Sequence, residues 1–187
     1  MPTAETWDQR YLRGEHAGDR PLEFVVRALE AVPLGGGRAL DVGCGAGRHS
    51  LLLASHGWRV TAVDWSEVAL ASIRARDGSI ETVLADLEAG EFAIEPDAWD
   101  LICVSYCLDR GLFSAICEGV KPGGGLVVAA FPVEDKRPGV RAMNPAYLLQ
   151  SGELARLFEG FEFLHSAEVE DSATSRRRAE LVARRRG

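Results

Sequence analysis

The residues of this chain best suited to chemistry are two carboxylates and a set of alternating glycines: Asp41, then Gly43, Gly45 and Gly47, then Asp64. The first four lie in Arg38-Ala-Leu-Asp-Val-Gly-Cys-Gly-Ala-Gly-Arg-His-Ser50, which reads as an apolar strand, a glycine loop and a helix start. Asp64 ends the next apolar run, Val60-Thr-Ala-Val-Asp64, and Trp65 and Ser66 follow it. Glycines between strand and helix let backbone N–H groups approach a ligand closely, and an acid ending the next strand can accept from both hydroxyls of a ribose. The chemistry implied is the binding of a nucleoside. A dinucleotide fingerprint has the spacing G-x-G-x-x-G, with a helix N-terminus holding a pyrophosphate. Here the glycines alternate and position 50 is Ser. An acid as close to the loop as Asp41 suits a ligand with positive charge and an amino group better than one with phosphates.

Elements of alternating type must position these residues. Apolar runs predict strands over 39–42, 59–63, 80–84, 101–104, 125–130, 161–166 and 179–183, and helical spacing predicts helices over 48–56, 67–76, 110–118 and 151–158. An amphipathic helix over 21–31 precedes them, with Leu22, Val25, Val26 and Leu29 on one face, and Pro33 and the glycines at 35–37 end it. Alternating strands and helices require a mostly parallel sheet with helices on both faces. The fully apolar 101–104 and 126–130 suit central strands. The last two strands have no helix between them and predict a C-terminal antiparallel hairpin. Residues 1–33 form an N-terminal lid and helix, 88–99 an acidic loop, and 133–150 an insertion after the fifth strand, all within one domain over 1–187.

The balance of the chain narrows its class. A net charge of −7 argues against a general nucleic-acid surface, and 47% hydrophobic with 26% charged residues is ordinary for a soluble globular protein. There is no membrane-length apolar run and no signal-like N-terminus. Four cysteines without paired CxxC spacing fit a reducing cytoplasm.

Trp7-Asp-Gln-Arg-Tyr11, the loop at 41–47, Asp64-Trp-Ser66, Ala85-Asp86-Leu87, Leu108-Asp-Arg-Gly-Leu-Phe113 and Lys121-Pro-Gly-Gly124 follow in an order that resembles the class I S-adenosylmethionine (SAM) methyltransferases. With Asn144-Pro-Ala-Tyr-Leu-Leu-Gln-Ser-Gly-Glu-Leu154, the pattern is similar to a small bacterial subgroup, like the tellurite-resistance and thiopurine methyltransferases. The resemblance implies a single-domain Rossmann-like α/β fold with a seven-stranded, mostly parallel sheet closed by the hairpin. It implies SAM as cofactor and a small-molecule methyl acceptor, without membrane or nucleic acid.

On the family pattern, Gly43, Cys44, Gly45 and Gly47 lie against the methionine part of SAM. Asp41 holds the loop and attracts the ammonium group. Asp64 accepts from the ribose with Ser66 beside it, Trp65 offers its face to the adenine or else packs as a half-buried core aromatic, and Asp86 with the Leu87 backbone meets the adenine's amine. Ser105 and Tyr106 end the fourth strand beside the cofactor's amino group. Trp7, Arg10 and Tyr11 fold over the cofactor, Arg10 facing its carboxylate, or else pack as an aromatic stripe on the core. Tyr106, Arg141 and Asn144 are the candidates to touch the acceptor. The four histidines lack metal-ligand spacing, so no metal is expected. Cys44, Cys103 and Cys107 should converge at one sheet edge, either meeting a soft, thiophilic substrate or packing as small apolar groups. No Asn-Pro-Pro-Tyr element follows the fourth strand, and Ser105-Tyr-Cys-Leu108 stands there instead. The function expected is in-line methyl transfer, with a soft S, Se or Te nucleophile as one acceptor class. The other readings are a non-catalytic SAM-binding sensor or scaffold and an NAD-type oxidoreductase.

Overall fold

Strands made of unbroken apolar residues bury both faces, and this chain places such strands at its centre. The computed structural model describes residues 3–15, 20–31, 36–132, 148–150, 152–170 and 177–187. In chain order these form α1 (Ala4–Leu12), α2 (Glu23–Ala31), β1 (Arg38–Val42), α3 (Arg48–Ser55), β2 (Arg59–Asp64), α4 (Glu67–Arg76), β3 (Glu81–Leu84) and β4 (Trp99–Ser105). A 3₁₀ turn (Arg110–Leu112) then runs into α5 (Phe113–Gly119), followed by β5 (Val120–Pro132), β6 (Leu148–Leu149), α6 (Glu153–Leu157), β7 (Phe161–Glu170) and β8 (Arg177–Arg185).

The sheet order is β3-β2-β1-β4-β5-β8-β7, with the short β6 pairing on β5. Strands β1 to β5 run parallel, whereas β8 pairs antiparallel with both β5 and β7. The seven expected strands and the closing hairpin are therefore present, with β6 added. Strand order reverses between β1 and β4, the place where open α/β sheets bind ligands beyond their carboxyl ends.

Successive side chains of a strand point to opposite faces, which yields two cores. One holds Leu40, Ile102, Leu126 and Leu181 against Phe113 and Ile116 of α5 and the fully buried Phe158. The other holds Ala39, Leu101, Val127 and Ala129 against Phe24 of α2, Leu53 of α3, and Leu70 and Ile73 of α4.

Several boundaries differ from the sequence expectation for local reasons. Asp109 accepts from Gly111 N at 2.9 Å, so the helix expected over 110–118 begins with a 3₁₀ turn. The expected turn at Lys121–Gly124 lies inside β5, where Val120 pairs with Trp99 but Gly125 with Leu101, so the extra residues bulge out. The acidic loop expected over 88–99 stops one residue early, because Trp99 opens β4 with its ring in the core. Among the described residues, no helix is long and apolar enough to cross a membrane.

Candidate functional site

The glycine loop is latched from β2. Gly45 N donates to Asp64 Oδ2 at 2.8 Å, Ser66 N donates to Asp64 Oδ1 at 2.9 Å, and Cys44 N donates to the Val63 carbonyl at 3.0 Å. One carboxylate thus fixes the loop and the start of α4 together. Burial raises the Asp64 pKa above the usual carboxylate value, while these backbone donors partly offset it. A carboxylate offers about four lone-pair sites, so these bonds do not exhaust its accepting capacity. All three loop glycines have positive φ and close neighbours, Gly47 (φ 80°) lying where a Cβ would sit 2.5 Å from Ile73. A Cβ at Gly43 (φ 64°) would sit 2.7 Å from Cys107 Sγ, and one at Gly45 (φ 54°) would sit 2.6 Å from the Tyr11 hydroxyl. Gly47 supplies the N-cap of α3.

Asp41 lies beneath the loop, 1% exposed, and accepts from Ser50 Oγ at 2.6 Å. Burial raises its pKa to about 6, against the opposing effects of Ser50 and Arg48. Its first task is therefore to tie β1 to α3.

The residue after Asp64, Trp65, lines a cleft of about 340 Å³ together with Leu84, Ala85, Asp86, Thr3, Ala4 and Glu91. Asp86 is also used locally: its Oδ1 accepts from Ala89 N at 3.1 Å, and its own N donates to Glu91 at 2.9 Å. The Leu87 side chain is buried in the core. Helix α1 forms part of the wall. Asp8 accepts from Ser66 Oγ and from Val68 N, while Ser66 Oγ accepts from Ala69 N as the cap of α4. Trp7 and Tyr11 lie with ring centroids 6.0 Å apart. The Arg10 guanidinium stacks 4.6 Å over the Trp7 ring.

Arg48 is the cation at the carboxyl end of β4. Its Nη2 donates to Ser105 Oγ at 3.1 Å, and its guanidinium lies 5.2 Å over the Tyr106 ring. Sequence reasoning passed over this residue, although a signal existed: a cation opening a helix opposes the helix dipole and requires another reason to be there. Tyr106 has φ 59°, rare for a residue with a side chain, and its N donates to the Ala129 carbonyl at 2.8 Å. Its ring stacks on Phe131 at 4.4 Å and 21°. Arg141 and Asn144, with 133–147 as a whole, lie outside the described residues.

The three cysteines do gather at this edge. Cys107 packs on Gly43, Cys44 is near enough to be influenced by Cys107, and Cys103 lies next to Asp41. Burial pushes all three thiols up, Cys107 to about 12, so they are held as neutral thiols. That favours packing over a soft-ligand role. Asp41, His49 and Cys103 present potential ligand atoms within 4.8 Å of one another. His49 Nε2, however, accepts from Leu22 N at 3.2 Å, and burial lowers its pKa to about 3. With the thiol protonated and Asp41 on Ser50, the cluster is a hydrogen-bonded wedge under the loop.

Residues 39–124 match a methyltransferase domain. They contain the glycine loop, Asp64, five of the seven residues lining the cleft and the carboxyl end of β4. The malonyl-[acyl-carrier protein] O-methyltransferase of Salmonella typhimurium is 38% identical over 125 residues, covering 65% of this chain and 47% of that protein. TehB from Haemophilus influenzae superposes with a TM-score of 0.75 at 23% identity, covering 96% of this chain and 67% of that one, which establishes the shared fold. The chain is thus similar to SAM-dependent methyltransferases over that segment and shares the fold of such a neighbour. The mostly parallel sheet with its terminal hairpin is the fold shared with TehB. Similarity also extends over 95% of the chain to Probable thiol methyltransferase 2 of Arabidopsis thaliana, at 25% identity and covering 83% of that protein. The chain spans about half the length of the Salmonella O-methyltransferase and of the Clavibacter sepedonicus demethylmenaquinone methyltransferase that it matches.

Proposed function

We propose that this protein, acting as one unit over 1–187 in the cytoplasm, transfers the methyl group of SAM in line to a small-molecule acceptor with a soft nucleophile. The observation that carries the reading is the Asp64 carboxylate at the end of β2, latched to Gly45 and Ser66, with the next residue, Trp65, lining a cleft together with Asp86. In this reading Asp64 takes the ribose hydroxyls, a charge-assisted pair of bonds. Trp65 lies along the adenine and Asp86 meets its amino group. The loop at Gly43–Gly47 supports the methionine part, and Arg48 takes its carboxylate where Arg10 had been expected. Asp41 acts from beneath as a fixed negative charge.

SAM supplies an electrophilic methyl on a sulfonium, so the protein's task is alignment and exclusion of water. Among the described residues, His49 is engaged with Leu22 N and His165 with Glu180, an arrangement that suits a nucleophile arriving already deprotonated. The thiol-directed name of the Arabidopsis relative supports the same class. Calorimetry with SAM, S-adenosylhomocysteine (SAH) and NAD tests the cofactor. Wild type should bind the two sulfur nucleosides and not NAD, and Asp64→Ala should lose about 10²-fold or more in affinity. Transfer of labelled methyl to a panel of thiols, amines and alcohols then tests turnover; NAD binding in place of SAM would sink the reading.

A further inference from the structure

Successive side chains of a strand point to opposite faces, so two neighbours in a strand do not ordinarily reach one partner. At the end of β4 two neighbours do. Ser105 Oγ accepts from Arg48 Nη2 at 3.1 Å, and the same guanidinium lies 5.2 Å over the Tyr106 ring. The backbone explains how. Tyr106, with φ 59°, is left-handed rather than extended, so the alternation of the strand stops at Ser105. Strain of this kind persists where the surroundings over-determine it. Here β5 holds both ends of the residue: Tyr106 N donates to the Ala129 carbonyl at 2.8 Å, and the ring stacks on Phe131 at 4.4 Å.

The contact spans the ligand edge of the sheet. The pairing of β1 on β4 runs to Val42 opposite Val104, so the next residue of each strand is Gly43, which opens the glycine loop, and Ser105. Arg48 comes from the other end of that loop as the first residue of α3. Its side chain therefore bridges from the helix to β4 at the place where strand order reverses. A guanidinium is a planar fork that matches a carboxylate bidentately, and the match depends on the orientation of its plane. A single hydrogen bond lets the plane rotate about it, whereas a bond together with an aromatic face fixes it. Ser105 supplies the bond and Tyr106 the face.

We propose that Ser105 and Tyr106 are positioning residues that together aim the Arg48 fork at the carboxylate of the cofactor's amino-acid half, so that the site selects cofactors carrying that carboxylate. This rests on the methyltransferase reading above. Arg48 touches the ligand, and the two residues at the end of β4 act through it. The strained turn is then part of the cofactor site, because an extended residue 106 would carry its ring to the other face of the sheet.

The test is calorimetric binding of SAH and of its decarboxylated analogue, which keeps the nucleoside, thioether and ammonium and lacks the carboxylate. The proteins are wild type, Arg48→Met, Ser105→Ala, Tyr106→Asn and the double variant Arg48→Met with Ser105→Ala. Asn tolerates positive φ, so Tyr106→Asn keeps the turn and removes the ring. Arg48→Met should weaken SAH about 30-fold, and Ser105→Ala and Tyr106→Asn about fivefold each, the scales of a charged and of a neutral hydrogen-bonded contact. The decarboxylated analogue should change less than twofold throughout. Ser105→Ala should cost nothing further in the Arg48→Met background, and Ser105→Thr should recover part of the Ser105→Ala loss. Losses that fall equally on the two ligands, or that multiply in the double variant, would overturn the positioning role. A wild type that binds the two ligands equally well would overturn the carboxylate assignment. Failure to bind either one would instead refute the methyltransferase reading. Should Tyr106→Asn not fold, Ser105→Ala and Ser105→Thr carry the same comparison.

Discussion

Asp41 and His49 sit within one buried cluster and respond to pH in opposite senses. The Asp41 pKa is raised from 3.8 to about 6 by burial, so the folded state holds this proton more tightly than the unfolded chain does. Its contribution to stability is greatest below about pH 4 and is lost as pH rises to 6, a cost of about 3 kcal/mol above that. Asp41→Asn should therefore raise the melting temperature at pH 7.5, the amide still meeting Ser50. It should also weaken SAM more than SAH, because only SAM carries the sulfonium charge. Thermal melts and calorimetry on the two ligands check both halves. His49 behaves the other way. Its pKa is lowered to about 3, chiefly by burial, so stability present above pH 6.5 is lost as pH falls toward 3. His49→Gln can still accept from Leu22 N and does not titrate. Its stability deficit against wild type should shrink between pH 7.5 and pH 5 in urea unfolding.

At the scale of elements, α1 is held by polar contacts. None of its residues is buried, and its link to α4 runs through Asp8 to Ser66 and Val68. A helix of nine residues has little stability alone, so this docking decides whether it forms. Asp8→Ala should increase hydrogen exchange over residues 4–12 and weaken SAM several-fold, with the melting temperature of the rest nearly unchanged. Exchange mass spectrometry with and without SAM measures this. A large fall in global stability would show α1 to be part of the core instead. Ser66 illustrates why an element is needed to interpret a residue. Expected beside the cofactor from its place after Asp64, it also caps α4 and ties α1 to that helix through Asp8.

The whole molecule is two cores on either side of one sheet, with the ligand edge at the β1–β4 switch. Loop, cleft and β4 end are carried on separate strands, so a ligand touching all three ties the sheet together. Saturating SAH at about 100 times its Kd should stabilise the fold by about 2.7 kcal/mol. For a chain of this size that is a rise of roughly 5–10 °C in melting temperature. Scanning melts over SAH concentration give the slope, and a shift absent in Asp64→Ala would tie it to the cleft.

The local pattern of the chain was enough to establish strand and helix order, the parallel sheet with its hairpin, and the glycine loop flanked by two acids. Those features follow from periodicity and backbone constraint, which are properties of neighbouring residues. Asp64 was legible because its role depends on ending a strand, and Gly43 and Gly45 because a turn with positive φ excludes a Cβ. Partners distant in sequence were decided by tertiary structure. Arg48 meets Ser105 across 57 positions, Ser66 meets Asp8 across 58, and His165 meets Glu180 across the β7–β8 pairing. Burial, likewise, has no local signature. It holds the three cysteines as neutral thiols and His49 uncharged, because the desolvation that shifts each group comes from elements packed around it.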